Sequence, residues 1–244
     1  TLVTGSTGLN VLSLFDGMSC GQIALERAGI KVNNYFASEI DKYAIQVAKH
    51  NYPNMQHIGD VTQVKANELP KIDLLIGGSP CQGFSFAGKQ LNFDDPRSKL
   101  FFEFVRLKNE CKPKYFLLEN VKMKKEYEDI ITEYLGVKPI AINSELFLDQ
   151  DTKRINWNNI KINKLPNENK LIVEDILEEE VDAKYFIDPK RSVIICENEV
   201  KKRKIAFIGS NSQGNRIYNI HGKSVCLCGE GGGLGAKTGL YALP

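Results

Sequence analysis

The chain has 244 residues, 42% hydrophobic and 25% charged, with a formal net charge of +2. That length accommodates one large domain, or one plus a small second one, and so even a charge balance does not by itself announce nucleic acid. No apolar run approaches the roughly 20 residues of a membrane-spanning helix, no signal segment is recognisable, and six scattered cysteines without one do not make a disulfide framework.

Residues 1–9 are small and polar and read as a flexible leader or tag remnant. Asn10–Phe15 is a short apolar run, followed by a helical pattern that Gly29 stops. Tyr35–Ile40 is the next strand, and the helix after it has Ala44, Val47 and Ala48 on one side. Ile72–Gly78 is wholly apolar, as a central parallel strand is. Then come an amphipathic helix over "SKLFFEFVRLKNE", a strand at Tyr115–Asn120, a helix ending at Gly136, and a strand over "KPIAINSELF". This alternation predicts a parallel sheet with helices on both faces and a ligand beyond the carboxyl ends of the strands. Residues 10–163 form that domain. Residues 164–244 read as a connector and a smaller, loop-rich region with an acidic stretch (Val173–Asp182), a basic one (Glu199–Lys204) and a glycine-rich tail. Cys226 and Cys228 are too close for usual zinc spacing, and with three histidines no metal site is expected.

The residues at the predicted strand ends are chemically distinctive. Asp16-Gly17 opens a glycine turn into a helix, where a ligand can approach backbone amides. Glu39 is placed to accept hydrogen bonds from ribose hydroxyls, or equally to cap the next helix. Asp60 is placed to accept from an adenine amine. Together these positions suggest an adenosine-type cofactor without saying which. Cys81 follows Ser79-Pro80 in a glycine-rich turn, after the apolar run rather than within it, which suits an exposed thiolate nucleophile better than a core cysteine. Glu119 closes a buried strand, and burial there raises a carboxyl pKa, as suits an acid that shares a proton.

In order, "FDGMSCG", "SEIDKYAIQVAKHNYPN", "GDV", "GGSPCQGFS", "DDPRSKLFFEF" and "FLLENV" resemble the cytosine-C5 DNA methyltransferases of bacteria and phages, and are similar to the animal de novo enzymes. The resemblance covers residues 10–160 well and the tail more loosely. It implies a Rossmann-like α/β sheet with a smaller target-recognition region. It implies S-adenosylmethionine held by Phe15, Gly17, Met18, Glu39, Ile40, Asp60, Val61, Pro80 and Leu100, with S-adenosylhomocysteine as product. It implies a cytosine flipped from double-stranded DNA, attacked at C6 by Cys81, with Glu119 at N3 and Arg154 beside them. It also implies candidate contacts to DNA at Gln82, Ser85, Arg97, Gln150, Lys153, Arg216, Lys223, Ser224 and Lys237, the last four in a glycine-rich tail that reads equally as a solvated loop. A monomer in the cytoplasm of a bacterial or phage-infected cell, associated with the nucleoid and with restriction-modification, is the corresponding setting.

Two departures are visible. Thr152 stands where the family has an arginine and Asn156 where an aromatic is common; Lys153 compensates only partly, lacking the planar fork. The family's C-terminal segment is not recognisable, so the chain reads as truncated or divergent. A catalytically impaired DNA- or cofactor-binding homologue therefore stands as an alternative, as does an RNA cytosine methyltransferase, although the Cys-Phe-Thr tripeptide of the transfer-RNA branch is absent.

Overall fold

The computed structural model describes residues 8–80, 96–144, 153–163, 165, 170–187, 193–195, 204–222, 224–225 and 239–243. The chain separates into two compact units, residues 1–142 with 154–164, and residues 143–153 with 165–244.

The first unit is built on a seven-stranded sheet. Its elements are β1 (Leu9–Leu14), α1 (Cys20–Arg27), β2 (Val32–Ser38), α2 (Lys42–Asn51), β3 (Gln56–His57), β4 (Leu74–Gly77), α3 (Pro96–Cys111), β5 (Tyr115–Val121), α4 (Lys125–Leu135), β6 (Pro139–Asn143) and β7 (Lys153–Asn158). The strand order is β3-β2-β1-β4-β5-β7-β6. β1 pairs in parallel with both β2 and β4, and β4 pairs in parallel with β5. The strand order reverses between β1 and β4, so a crevice opens where their carboxyl ends diverge.

Local chemistry explains the punctuation. Asp41 caps α2 by accepting from the amides of Tyr43 (2.9 Å) and Ala44 (2.8 Å). Gly136 ends α4 at φ 71°, a conformation that glycine adopts without a side-chain clash. The apolar faces meet in a core where Leu12, Leu14, Leu75, Phe101, Phe104, Leu118 and Trp157 are fully buried. Each such side chain contributes about 1.5–3 kcal/mol by leaving water. Trp157 keeps its indole N–H satisfied on Thr132 Oγ1 at 2.9 Å.

The structure corrects several expectations. The sheet is mixed, not wholly parallel: β7 inserts between β5 and β6 and runs antiparallel to β5. Its bonds to β5 are made across the sheet, and no local periodicity announces strand direction. β1 takes in buried Leu9, one residue into the segment read as a leader, and Phe15 lies outside it. On α2 only Ala48 is buried, whereas Val47 is exposed, because the helix turns that residue to solvent. Glu119 and Asn120 lie within β5, which runs on to Val121.

The second unit holds a four-stranded sheet in the order β11-β10-β9-β8, made of β8 (Val193–Ile195), β9 (Lys204–Ile208), β10 (Arg216–Asn219) and β11 (Leu240–Ala242). β8–β9 and β9–β10 are antiparallel and β10–β11 is parallel. The acidic stretch forms a short 3-10 turn, Val173–Ile176, that buries Val173 and bonds back through its amides to the carbonyls of Gly222 and Ile220. Among the described residues no helix is long and apolar enough to cross a membrane.

The seat of α1 on the sheet yields a stability prediction. A Cβ added at Gly21 would stand 2.4 Å from Ile76 Cδ1 and 2.8 Å from the Tyr35 hydroxyl, which is itself tied to Asp16. Gly21→Ala is expected to destabilise the fold by about 1–3 kcal/mol, read as a lower urea midpoint at unchanged slope. An unmoved midpoint would contradict this packing.

Candidate active site

The carboxyl end of β1 is a tight turn held by one buried carboxylate. Phe15, Gly17 and Ser19 take φ of 56°, 59° and 65°. For a bulky residue such as Phe15 this conformation costs on the order of 1–3 kcal/mol, so the surroundings must enforce it. They do so through Asp16, which is buried and accepts from the Tyr35 hydroxyl (2.7 Å) and the Ser19 hydroxyl. Its own amide donates to the Ser38 carbonyl at 3.1 Å. Burial first, then the charge of Asp16, pushes the Tyr35 phenol well above its ordinary value, so it remains a donor.

Glu39 follows β2 and reaches across to this turn. Its Oε2 accepts from the Gly17 amide at 2.8 Å, and its Oε1 from the amides of Ile40 (2.7 Å) and Asp41 (2.8 Å). A carboxylate has roughly four lone-pair sites, so three backbone donors aim it while leaving capacity for a ligand hydroxyl. Asp60 caps the 3-10 turn Val61–Gln63 through the Thr62 amide at 2.9 Å. Ser38 Oγ ties the preceding Gly59 carbonyl to β2 at 2.8 Å.

These elements enclose a cavity lined by Phe15, Ser38, Glu39, Ile40, Asp60, Val61, Pro80 and Leu100. Seven of the nine residues expected to hold a cofactor are in that lining. Gly17 contributes its amide to Glu39 instead, and Met18 is half exposed and not part of the lining. The lining combines apolar side chains (Phe15, Ile40, Val61, Leu100) with two acids (Glu39, Asp60), a mixture suited to an amphipathic ligand that carries hydroxyl or amine donors.

A second cluster lies at the ends of β4, β5 and β7. A side chain at Gly78 would stand 3.1 Å from Glu119 Oε2, so glycine leaves room for the acid beside the turn. Asn120 is buried and donates through Nδ2 to the Ser79 carbonyl (3.1 Å) and Ser79 Oγ (3.3 Å), while its Oδ1 accepts from the Val121 amide. It thereby staples the residues leading into Pro80 to β5. In the β5–β7 register Glu119 faces Asn156 and Val121 faces Arg154. Glu119 and Arg154 are thus diagonal neighbours on one face, and they pair at 2.8 Å. Burial raises the Glu119 pKa, and the Arg154 charge opposes that rise.

Of the other predicted positions, Lys153 opens β7 and is exposed. Arg216 lies on β10, its Nε donating to the Asn211 carbonyl (3.3 Å) and Oδ1 (3.2 Å), and Ser224 is half buried in the same unit. Arg97 lies in the first turn of α3. Cys81, Gln82, Ser85, Gln150, Lys223 and Lys237 lie outside the described residues. Ser38, Tyr35 and Asn120 were not singled out as site residues. Their roles arise from partners 21, 19 and 41 positions away, and no local pattern announces them.

A parallel-dominated sheet with an acid-lined cavity beyond its strand ends defines a class of α/β proteins that seat a nucleoside-type ligand. The family model for C-5 cytosine-specific DNA methylase matches residues 9–132. The chain is 30% identical to the type II methyltransferase M.HhaI of Haemophilus parahaemolyticus, over 96% of this chain and 78% of that protein. It is 29% identical to the orphan methyltransferase M.Rho11sI of Bacillus phage rho11s, over 96% of this chain and 60% of the relative. It is 37% identical to the type II methyltransferase M1.ScrFI of Lactococcus lactis subsp. cremoris, over 74% and 51%. A crystal structure of an Escherichia coli prophage protein assigned as a DNA modification methyltransferase superposes with a TM-score of 0.59 at 27% identity, covering 78% of this chain and 61% of that one. The chain belongs to the C-5 cytosine-specific DNA methylase family, whose methyl donor is S-adenosylmethionine. It spans between about half and four fifths of the length of these relatives.

The Glu119–Arg154 pair carries a pH prediction. Because folding raises the pKa of Glu119, its contribution favours the fold at low pH and is lost as pH rises through the folded value. Arg154→Gln removes the opposing charge. The Glu119 carboxyl, followed by carbon-13 NMR, is expected to titrate above ordinary glutamate in the parent chain and higher still in the variant. An unmoved or lowered midpoint in the variant would contradict the pairing.

Proposed function

We propose that this chain transfers a methyl group from S-adenosylmethionine to C5 of cytosine in double-stranded DNA, with Cys81 as nucleophile. The observation that carries the reading is Pro80. It lines the cofactor cavity, is tethered next to Glu119 through Ser79 and Asn120, and immediately precedes Cys81. Cys81 is the next residue in the sequence after this tethered proline, which is what supports its assignment as the nucleophile.

Glu39, Asp60 and the apolar walls would hold S-adenosylmethionine, which would supply an electrophilic methyl group. The Cys81 thiolate forms a bond to cytosine C6, and the ring electrons move toward C5 and N3. Glu119 holds a proton at N3, which stabilises that displaced charge; its raised pKa favours the protonated form. Arg154 keeps Glu119 oriented on its face of the sheet. Methylation of C5 would break the donor's sulfonium S–CH3 bond and leave S-adenosylhomocysteine; a solvent base then takes the C5 proton, its electron pair restores the C5–C6 double bond, and the S–C6 bond breaks to release the Cys81 thiolate. The flipped base requires duplex DNA bound by the second unit, with Arg216 and Ser224 as candidate contacts. The description of the matching family, a cytosine-specific DNA methylase, and that of the similar prophage structure favour DNA over RNA as the substrate.

Duplex DNA carrying 5-fluorocytosine blocks the final proton loss, so the parent chain is expected to form an adduct stable to denaturation, dependent on S-adenosylmethionine. Cys81→Ser is expected to form none. An equal adduct in Cys81→Ser would remove Cys81 as nucleophile. Its absence from both, with cofactor binding intact, would favour a non-catalytic homologue, and an adduct with RNA alone would reassign the substrate.

A further inference from the structure

We infer that Arg106, on α3 and outside the cofactor cavity, is a positioning residue for the wall that carries Asp60 and Val61. This rests on the cofactor reading above. Its Nη2 donates to the carbonyls of Val61 (3.2 Å) and Val64 (3.1 Å), clamping both ends of the 3-10 turn that Asp60 caps. The guanidinium is itself aimed. Glu103 Oε2 accepts from Nε at 2.8 Å and lies 2.6 Å from Nη2 as its ion-pair partner, and Glu110 Oε2 accepts from Nη1 at 2.9 Å.

The geometry separates Arg106 from the ligand-contacting residues. It is not in the cavity lining, whereas Leu100, on the same helix, is. One helix therefore touches the cavity directly through Leu100 and sets its far wall indirectly through Arg106. At its first end the turn is also held by the Asp60 cap on the Thr62 amide and by the Gln63 amide on the Asp60 carbonyl at 3.0 Å. It is one 3-10 turn whose Val61 carbonyl accepts the Val64 amide at a long 3.3 Å. The side chains of Val61 and Val64 are buried, so movement of the turn would disturb the core and the cavity together. Lysine is not an equivalent residue here, because it lacks the planar fork that meets two carbonyls and two carboxylates at once.

Calorimetric titration of the full chain with S-adenosylhomocysteine, without DNA, tests the inference. Arg106→Gln is expected to raise Kd about tenfold, and Arg106→Lys by less, as loss of charged hydrogen bonds to the turn implies. In methyl-transfer assays KM for the donor is expected to rise, with kcat at saturating donor within about twofold of the parent. Lys65→Ala, which removes a nearby surface charge paired with Glu68 in an ion bridge of 2.9 Å, is expected to leave Kd unchanged. A Kd in Arg106→Gln within about twofold of the parent, or an equal loss in Lys65→Ala, overturns the inference while leaving the cofactor site standing. Should Arg106→Gln not fold, Glu103→Gln with Glu110→Gln loosens the same guanidinium; weakened binding there supports the clamp and unchanged binding overturns it. A parent chain that binds no S-adenosylhomocysteine overturns the cofactor reading and this inference with it.

Discussion

Three backbone amides converge on the carboxylate of Glu39, and the cavity depends on that convergence. One amide comes from the turn after β1, and two come from the chain just past β2. Hydrogen bonds to a charged group contribute about 1.5–3 kcal/mol each, more than neutral ones do. They tie the ends of two parallel strands to one side chain and aim that side chain at the crevice. The strained turn beside it persists for a related reason. Asp16, buried below, holds Tyr35 and Ser19, so Phe15 keeps a conformation it would not choose alone. The walls of the cavity are thus set before any ligand arrives.

The second cluster follows a different logic. Glu119 sits where burial disfavours its charge, and a single guanidinium moderates the effect. That combination holds the Glu119 pKa above its ordinary value. Its position is inherited from the sheet. β7 lies antiparallel to β5, so Arg154 falls diagonally across from Glu119, and glycine at position 78 leaves space beside the acid. Asn120 points to the opposite face of the same strand and fixes the approach to Pro80. One strand therefore supplies both Glu119 and the tether for Ser79, the residue before Pro80.

Much of this was legible in the residues. Fully apolar runs marked the central strands, and acids and glycines directly after them marked the ligand edge, because parallel strands end where helices begin. Gly29 and Gly136 marked helix ends through their conformational freedom. What escaped was everything that depends on partners distant in the chain. The antiparallel direction of β7 has no signature in hydrophobic period. Val47 looked inward because periodicity gives an apolar stripe but not how far round the helix the core extends. Ser38, Asn120 and Arg106 resemble ordinary polar residues until the carbonyls they meet are known. The roles of Cys81 and the DNA-contacting positions rest on motif resemblance and chain connectivity.

The central claim is that the carboxyl edge between β1, β2 and the Asp60 turn seats the nucleoside of S-adenosylmethionine. A crystal structure of the chain with S-adenosylhomocysteine tests it most directly. The account predicts ribose hydroxyls within hydrogen-bonding distance of Glu39, the adenine amine at Asp60, and the purine against Phe15, Ile40, Val61 and Leu100. A nucleoside bound elsewhere, or one that touches neither acid, would contradict it.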